Sequence, residues 1–159
     1  MGGPAATEPA GVKSARRTIE LLETFAAQDA WLSLSDLHAS TGFPRSSLHG
    51  LLRTLFEAGW LEADPGTARY RLGVRALICG TAYLDRDPAK PFATEALETI
   101  RERTDLTAHY ARRDGAEVVY LETREARRSA HLVSRVGRTL PAHATALGKA
   151  LLASAWPAS

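Results

Sequence analysis

A chain of 159 residues with one cysteine cannot hold an internal disulfide. Its fold must stand on packing, and the compartment implied is the reducing cytoplasm. That residue, Cys79, is expected as a small buried apolar side chain and not as a redox sensor. No apolar run approaches the roughly 18 residues needed to cross a bilayer, which excludes a helical membrane span. Residues 1–13 are rich in Gly, Pro and Ala and contain no apolar segment, so they read as a disordered tail and not as a signal peptide. An excess of one charge is also lacking, the net value being +2. Residues 14–73 carry six basic side chains to seven acidic, and residues 74–159 thirteen to ten. Any nucleic-acid partner must therefore be argued from where the charges sit. The motifs of common enzymes are missing: no Cys/His metal spacing, no Gly-x-Gly-x-x-Gly after a strand, no Gly-x-Ser-x-Gly elbow. Gly148-Lys149 resembles the end of a phosphate loop, but Ala150 stands where Ser or Thr is required. No catalytic residue, metal or cofactor is expected.

What is present is a normal 45% of hydrophobic residues, enough core for one ordinary domain or two small ones. Ala15, Ile19, Leu22, Phe25 and Ala26 recur at helical spacing and predict a helix over residues 14–28. Ser33-Leu34-Ser35-Asp36 has the form of a capping box and opens a short second helix, with Leu34 and Leu37 inward and Gly42 just past its end. Pro44 suits the start of a third helix, whose apolar stripe is Leu48, Leu51, Leu52 and Leu55. Two strand-like runs, 60–63 and 68–72, flank the turn residues Asp64-Pro65-Gly66-Thr67. This order is that of a winged helix-turn-helix. A helical stretch over 74–87 follows, with Leu77, Gly80 and Leu84 on its less polar side, then a helix from Pro91 to about Arg103. The period next changes to two: strands at 107–113 and 117–123 about Asp114-Gly115, a third at 130–136, and a last helix after Pro141 with Ala146, Leu147, Ala150 and Leu151 on one face.

The third helix carries the functional signal. Its apolar stripe is needed by the core, so Arg45, Ser46, Ser47, His49, Gly50 and Arg53 must face away, with Arg45, His49 and Arg53 along one side. No acid lies between Pro44 and Phe56, and Ser and Arg at a helix start suit phosphates and guanine edges. Arg69 and Arg71 on the wing are candidate phosphate or minor-groove contacts. Arg124, Arg127 and Arg128 alternate with Glu122 and Glu125 and read as a solvated loop. His143 and Lys149 flank a helix start, which suits a small carboxylate better than catalysis.

With residues 16–22 (Arg-Arg-Thr-Ile-Glu-Leu-Leu), 42–49 (Gly-Phe-Pro-Arg-Ser-Ser-Leu-His), 51–62, 70–73, 114–122 and 140–153 taken together, the chain resembles the IclR family of bacterial transcription regulators. Residues 140–153 (Leu-Pro-Ala-His-Ala-Thr-Ala-Leu-Gly-Lys-Ala-Leu-Leu-Ala) carry the most specific part of the likeness. The resemblance implies an α+β chain: a winged helix-turn-helix over 14–73, a linker helix used in dimerisation over 74–87, and a partial GAF-like antiparallel sheet with helices over 88–159. It implies a homodimer or dimer of dimers on a palindromic double-stranded operator, repressing or activating catabolic genes. It also implies a small-molecule effector held at His143, Thr145, Ala146, Leu147 and Gly148, the helix start that by itself suits a carboxylate.

Two departures from the family pattern bear on function. Gly50 stands where the family usually has Arg, which removes a DNA contact from the third helix. The effector domain of the family runs about a hundred residues further, so weak or absent effector control is expected of this stretch. The competing expectation is a dimerisation or interaction module that has lost specific operator reading; an enzyme has little to support it.

Overall fold

The computed structural model describes residues 11–127 and 136–154, in two compact units, residues 1–82 and 83–159. The first unit begins with α1, Lys13–Ala27, one residue earlier than the spacing predicted. Its buried residues are Leu21 and Phe25, whereas Ile19 is 57% exposed. Ile19 and Leu21 stand two positions, about 200°, apart on a helix, so only one of them meets the core, and it is Leu21.

β1, Leu32–Ser33, leads into α2, Leu34–Thr41. Ser33 caps α2 reciprocally with Asp36: the Asp36 N–H donates to Ser33 Oγ at 3.2 Å, and the Ser33 N–H donates to the Asp36 carboxylate at 2.8 Å. These bonds satisfy orphan donors of the first turn. Gly42 ends α2 at φ 68°, a conformation that costs an L side chain but not glycine. α3, Arg45–Glu57, starts after Pro44 and buries Leu48, Leu52 and Leu55. β2, Leu61–Asp64, and β3, Arg69–Leu72, form the wing. The sheet order is β1-β3-β2, antiparallel, with Leu32 opposite Tyr70 and Leu61 opposite Leu72. One core joins Leu21, Phe25, Leu32, Leu37, Phe43, Leu48, Leu52, Leu55 and Leu61. α4, Val74–Asp85, follows; none of its residues is buried, and Cys79 is exposed. The expectation of a buried Cys79 is corrected: α4 as a whole lacks a core to enter.

In the second unit α5, Lys90–Thr104, precedes β4, Ala108–Asp114, and β5, Glu117–Arg124. Asp114 pairs with Glu117, so the tight loop is Gly115-Ala116 and not Asp114-Gly115. β6 is Thr139–Pro141, beside β5, where the sequence had suggested entry to a helix; most of the strand expected at 130–136 lies outside the described residues. A 3-10 turn, Ala142–Ala144, and α6, Ala146–Ser154, close the order. The register of β4 and β5 shifts between Tyr110 and Ala111, which leaves Leu121 as the extra residue of a bulge. On one side of the bulge Val118 and Tyr120 join Ala111 and Ala142, with Leu147 and Leu151 packed against them. Beyond it Glu122 and Arg124 turn to the α5 side, where Glu122 accepts from the Thr94 hydroxyl at 2.8 Å and Arg124 pairs with Glu98 at 3.5 Å and Glu122 at 2.7 Å. The solvated loop expected at Arg124 is thus corrected: the bulge folds its charges into a tie between strand and helix.

Candidate nucleic-acid interface

α3 is held from behind by its three buried leucines, and Arg45, Ser46, His49, Gly50 and Arg53 are exposed on its other side. No acidic residue stands in its first turn, and Pro44 supplies no side-chain cap. Arg45 Nη2 reaches Ser35 Oγ at 3.5 Å. Arg53 pairs with Glu57 at 3.2 Å, with side chains 80% and 63% exposed. Such an exposed i,i+4 pair is worth about 0.3–0.5 kcal/mol, so a phosphate can displace it at small cost. Ser47 departs from the expected outward set. It is half-buried, and its hydroxyl accepts from Arg17 Nη1 of α1 at 3.1 Å. A Cβ at Gly50 would meet nothing within 4 Å, so the glycine is not imposed by packing.

The wing arginines, expected as candidate contacts, are already engaged within the protein. Arg71 donates two hydrogen bonds to Glu62, at 2.9 and 2.7 Å, and its guanidinium lies 4.5 Å from the centroid of the Trp31 ring. Forked charge-assisted bonds plus a cation–π contact hold it firmly. Arg69 donates to the Trp31 carbonyl at 3.0 Å and lies 3.8 Å from Asp36. The Ser33 backbone and hydroxyl, and then Arg69, hold the Asp36 carboxyl below its ordinary range, so it stays charged beside that arginine.

The residues expected to meet an effector fall together at the start of α6. Thr145 Oγ1 accepts from the Gly148 N–H at 2.9 Å and caps the helix itself. Gly148 is buried, and a Cβ there would stand 2.1 Å from the Ala142 carbonyl oxygen. Leu147 packs into the core of this unit, whereas His143 and Ala146 are exposed. The segment is therefore built first for close packing of the 3-10 turn on α6. His143 and Ala146 are its outward members.

Two family models account for most of the chain. The IclR helix-turn-helix domain matches residues 14–65, and the C-terminal domain of bacterial transcriptional regulator IclR matches residues 81–159. The chain belongs to the IclR family. It is 35% identical over 142 residues to the HTH-type transcriptional regulator XynR of Escherichia coli (strain K12), a match covering 89% of this chain and 56% of that protein. The fold is that of an IclR family regulator from Brucella abortus (TM-score 0.82, 24% identity, 97% of this chain and 58% of that one). An IclR homolog from Microbacterium hydrocarbonoxydans, solved in complex with 4-hydroxybenzoate, also matches (TM-score 0.73, 26% identity, 91% and 60%). The chain spans little more than half the length of these relatives, of which the Escherichia coli and Brucella proteins are transcription regulators. No helix among the described residues is long and apolar enough to cross a membrane.

In this IclR chain the residue that sequence reading passed over is Arg17. It lies on α1, 30 positions from Ser47, and stacks over the Phe43 ring at 5.0 Å. Only the fold brings these three residues together; a basic pair at the start of a helix is no signal by itself.

Proposed function

We propose that this chain binds duplex DNA as a sequence-specific transcription regulator, with α3 as the reading helix. The observation that carries this is the outward face of α3, where Arg45, Ser46, His49 and Arg53 stand exposed on a helix fixed from behind by a leucine core. Arg45 and His49 are the candidates for base edges; Ser46 and Arg53 suit phosphates, while Ser47 is turned to Arg17. Arg69 and Arg71 contribute as wing contacts to the extent that duplex phosphates outcompete Asp36 and Glu62. Residues 14–73 are then the DNA-binding domain, 74–87 the dimerising linker and 88–159 the effector-facing part. The 4-hydroxybenzoate held by the Microbacterium relative supports a small organic acid as effector, with His143 and Ala146 nearest to it and Thr145, Leu147 and Gly148 shaping the wall. Catabolic genes and a palindromic operator complete the reading. The test is a salt titration of binding to a selected duplex beside a mixed-sequence one. Specific binding is expected to exceed non-specific binding by at least about a thousandfold. Equal affinities for the two would reject sequence-specific reading.

A second reading, a dimerisation module without operator specificity, is favoured by Gly50 and by the Arg71–Glu62 pair, which together thin the contact set. The same titration separates the two, because that module shows at most the non-specific curve.

A further inference from the structure

In the first unit, five of the seven arginines, those of α3 and the wing together with Arg17, fall into two groups by their partners. Arg53, Arg69 and Arg71 each face a carboxylate: Glu57, Asp36 and Glu62. Arg17 and Arg45, which flank the start of α3, take hydroxyls instead, those of Ser47 and Ser35. Neither has a carboxylate partner among the described residues, so both keep their charge uncompensated. Arg17 is also the better ordered by its surroundings. Its guanidinium is laid over Phe43, itself a core residue, and donates to Ser47, the third residue of α3. A planar guanidinium has five N–H donors in a fixed fork, and one bond to a hydroxyl leaves most of them available. Holding it in place before binding removes part of the ordering cost of a long side chain.

We infer that Arg17 of α1 is a contact to the DNA backbone, seated against the phosphate that adjoins the start of α3 and so fixing how that helix enters the groove. This rests on the proposed DNA-binding function and adds to it a residue outside α3 and the wing. It also ranks the contacts: Arg17 engages a phosphate directly, whereas Arg71 is already neutralised by Glu62. A phosphate contact carries no base information, so its loss weakens every duplex alike.

The experiment is the salt dependence of binding to a labelled mixed-sequence duplex, for the whole chain and for Arg17→Gln and Ser47→Asp. Each phosphate neutralised adds about 0.9 to the slope of log K against log salt. Arg17→Gln is expected to lower the slope by about one. Should Arg17→Gln fail to fold, Ser47→Asp carries the test. An acid is tolerated in the first turn of a helix, and here it sets a carboxylate on the Arg17 guanidinium, so the slope falls as it does for the Gln variant. A purely structural Arg17 would lower melting temperature or affinity with the slope intact, and that result overturns the inference. Wild-type protein with no salt-dependent duplex binding would reject the DNA-binding function and Arg17 with it. Wild-type binding with an unaltered slope in the folded variants rejects Arg17 alone.

Discussion

At position 50 the outward face of α3 presents bare backbone between His49 and Arg53, on a turn where a side chain has open space. Glycine in a helix interior costs about 0.8–1 kcal/mol against Ala, and Arg ranks close to Ala. Gly50→Arg is therefore expected to raise thermal stability slightly and to tighten duplex binding at matched salt. A folded variant that binds no better would show that the middle of α3 does not approach DNA. Arg45→Ala is expected to weaken binding to a selected operator by about 1–3 kcal/mol and relax specificity at one base pair; unchanged affinity in a folded variant removes Arg45 from the interface. Gly148 behaves oppositely to Gly50. A Cβ there would lie 2.5 Å from the Ala142 Cα as well as 2.1 Å from its carbonyl oxygen, and backbone cannot swing aside as a side-chain tip can. Gly148→Ala is expected to destabilise the second unit by about 1–3 kcal/mol or more, read as a lowered melting temperature with the first unit unaffected.

At the scale of elements, local signals were legible and distant pairings were not. The Ser33–Asp36 box, Gly42 after α2, the leucine stripe of α3 and the Asp64 turn are each written within a few residues, and each forms as read. β1 has only two residues and exists because Tyr70 and Arg69 pair with it. The bulge at Leu121 likewise follows from register with β4, which is why the Arg124 tie to α5 could not be read from the chain. Of the candidate site, the α3 face was legible and its Arg17 neighbour was not. The junction between α4 and α5 is another product of distance. Asp87 is buried, and its carboxylate accepts from the Tyr110 hydroxyl at 2.8 Å, the Ala89 N–H at 3.1 Å and Arg112 at 3.0 Å. The Tyr110 bond, with smaller help from Ala89 and Arg112, holds this carboxyl below its ordinary 3.8 despite burial. A depressed folded value means stability that is present above the unfolded range, about 3.9, and is lost as pH falls through the folded one. Acid is thus expected to loosen the α5–β4 tie below about pH 4. Asp36, Asp64 and Glu98 are depressed too and share the acid limb. The difference between wild type and Asp87→Asn isolates the one group: the variant should lose less stability on going from pH 5 to acid. Parallel melting curves across that range would remove Asp87 as a contributor.

For the whole molecule the decisive feature is α4, which is apolar and yet buries nothing of its own. Val74, Leu77, Ile78 and Tyr83 are 60, 64, 56 and 52% exposed. A helix that is apolar on most sides ordinarily lies inside a core or against a partner. Single exposed leucines need no explanation, but Val74, Leu77 and Ile78 share one side of the helix and make an apolar patch of the kind that marks an interface, with Tyr83 on the other side. Val74, Leu77, Ile78 and Thr81 follow the i, i+3, i+4, i+7 spacing of one helical face, and a second copy of α4 supplies a complementary stripe. A two-fold pair would also meet the demand of the proposed operator reading, in which two copies of α3 reach half-sites about 34–36 Å apart along the duplex. The chain is therefore expected to sediment as a dimer. Leu77→Glu with Ile78→Glu is expected to yield a monomer with an intact first unit, because neither side chain enters its core. That monomer should bind a single half-site as the wild type does, and lose the extra affinity of a palindrome, where the second half-site binds at the high effective concentration set by the first. A wild-type chain that stays monomeric while binding a palindrome tightly, or a double variant that keeps the full palindrome affinity, would show that α4 is not the dimer surface.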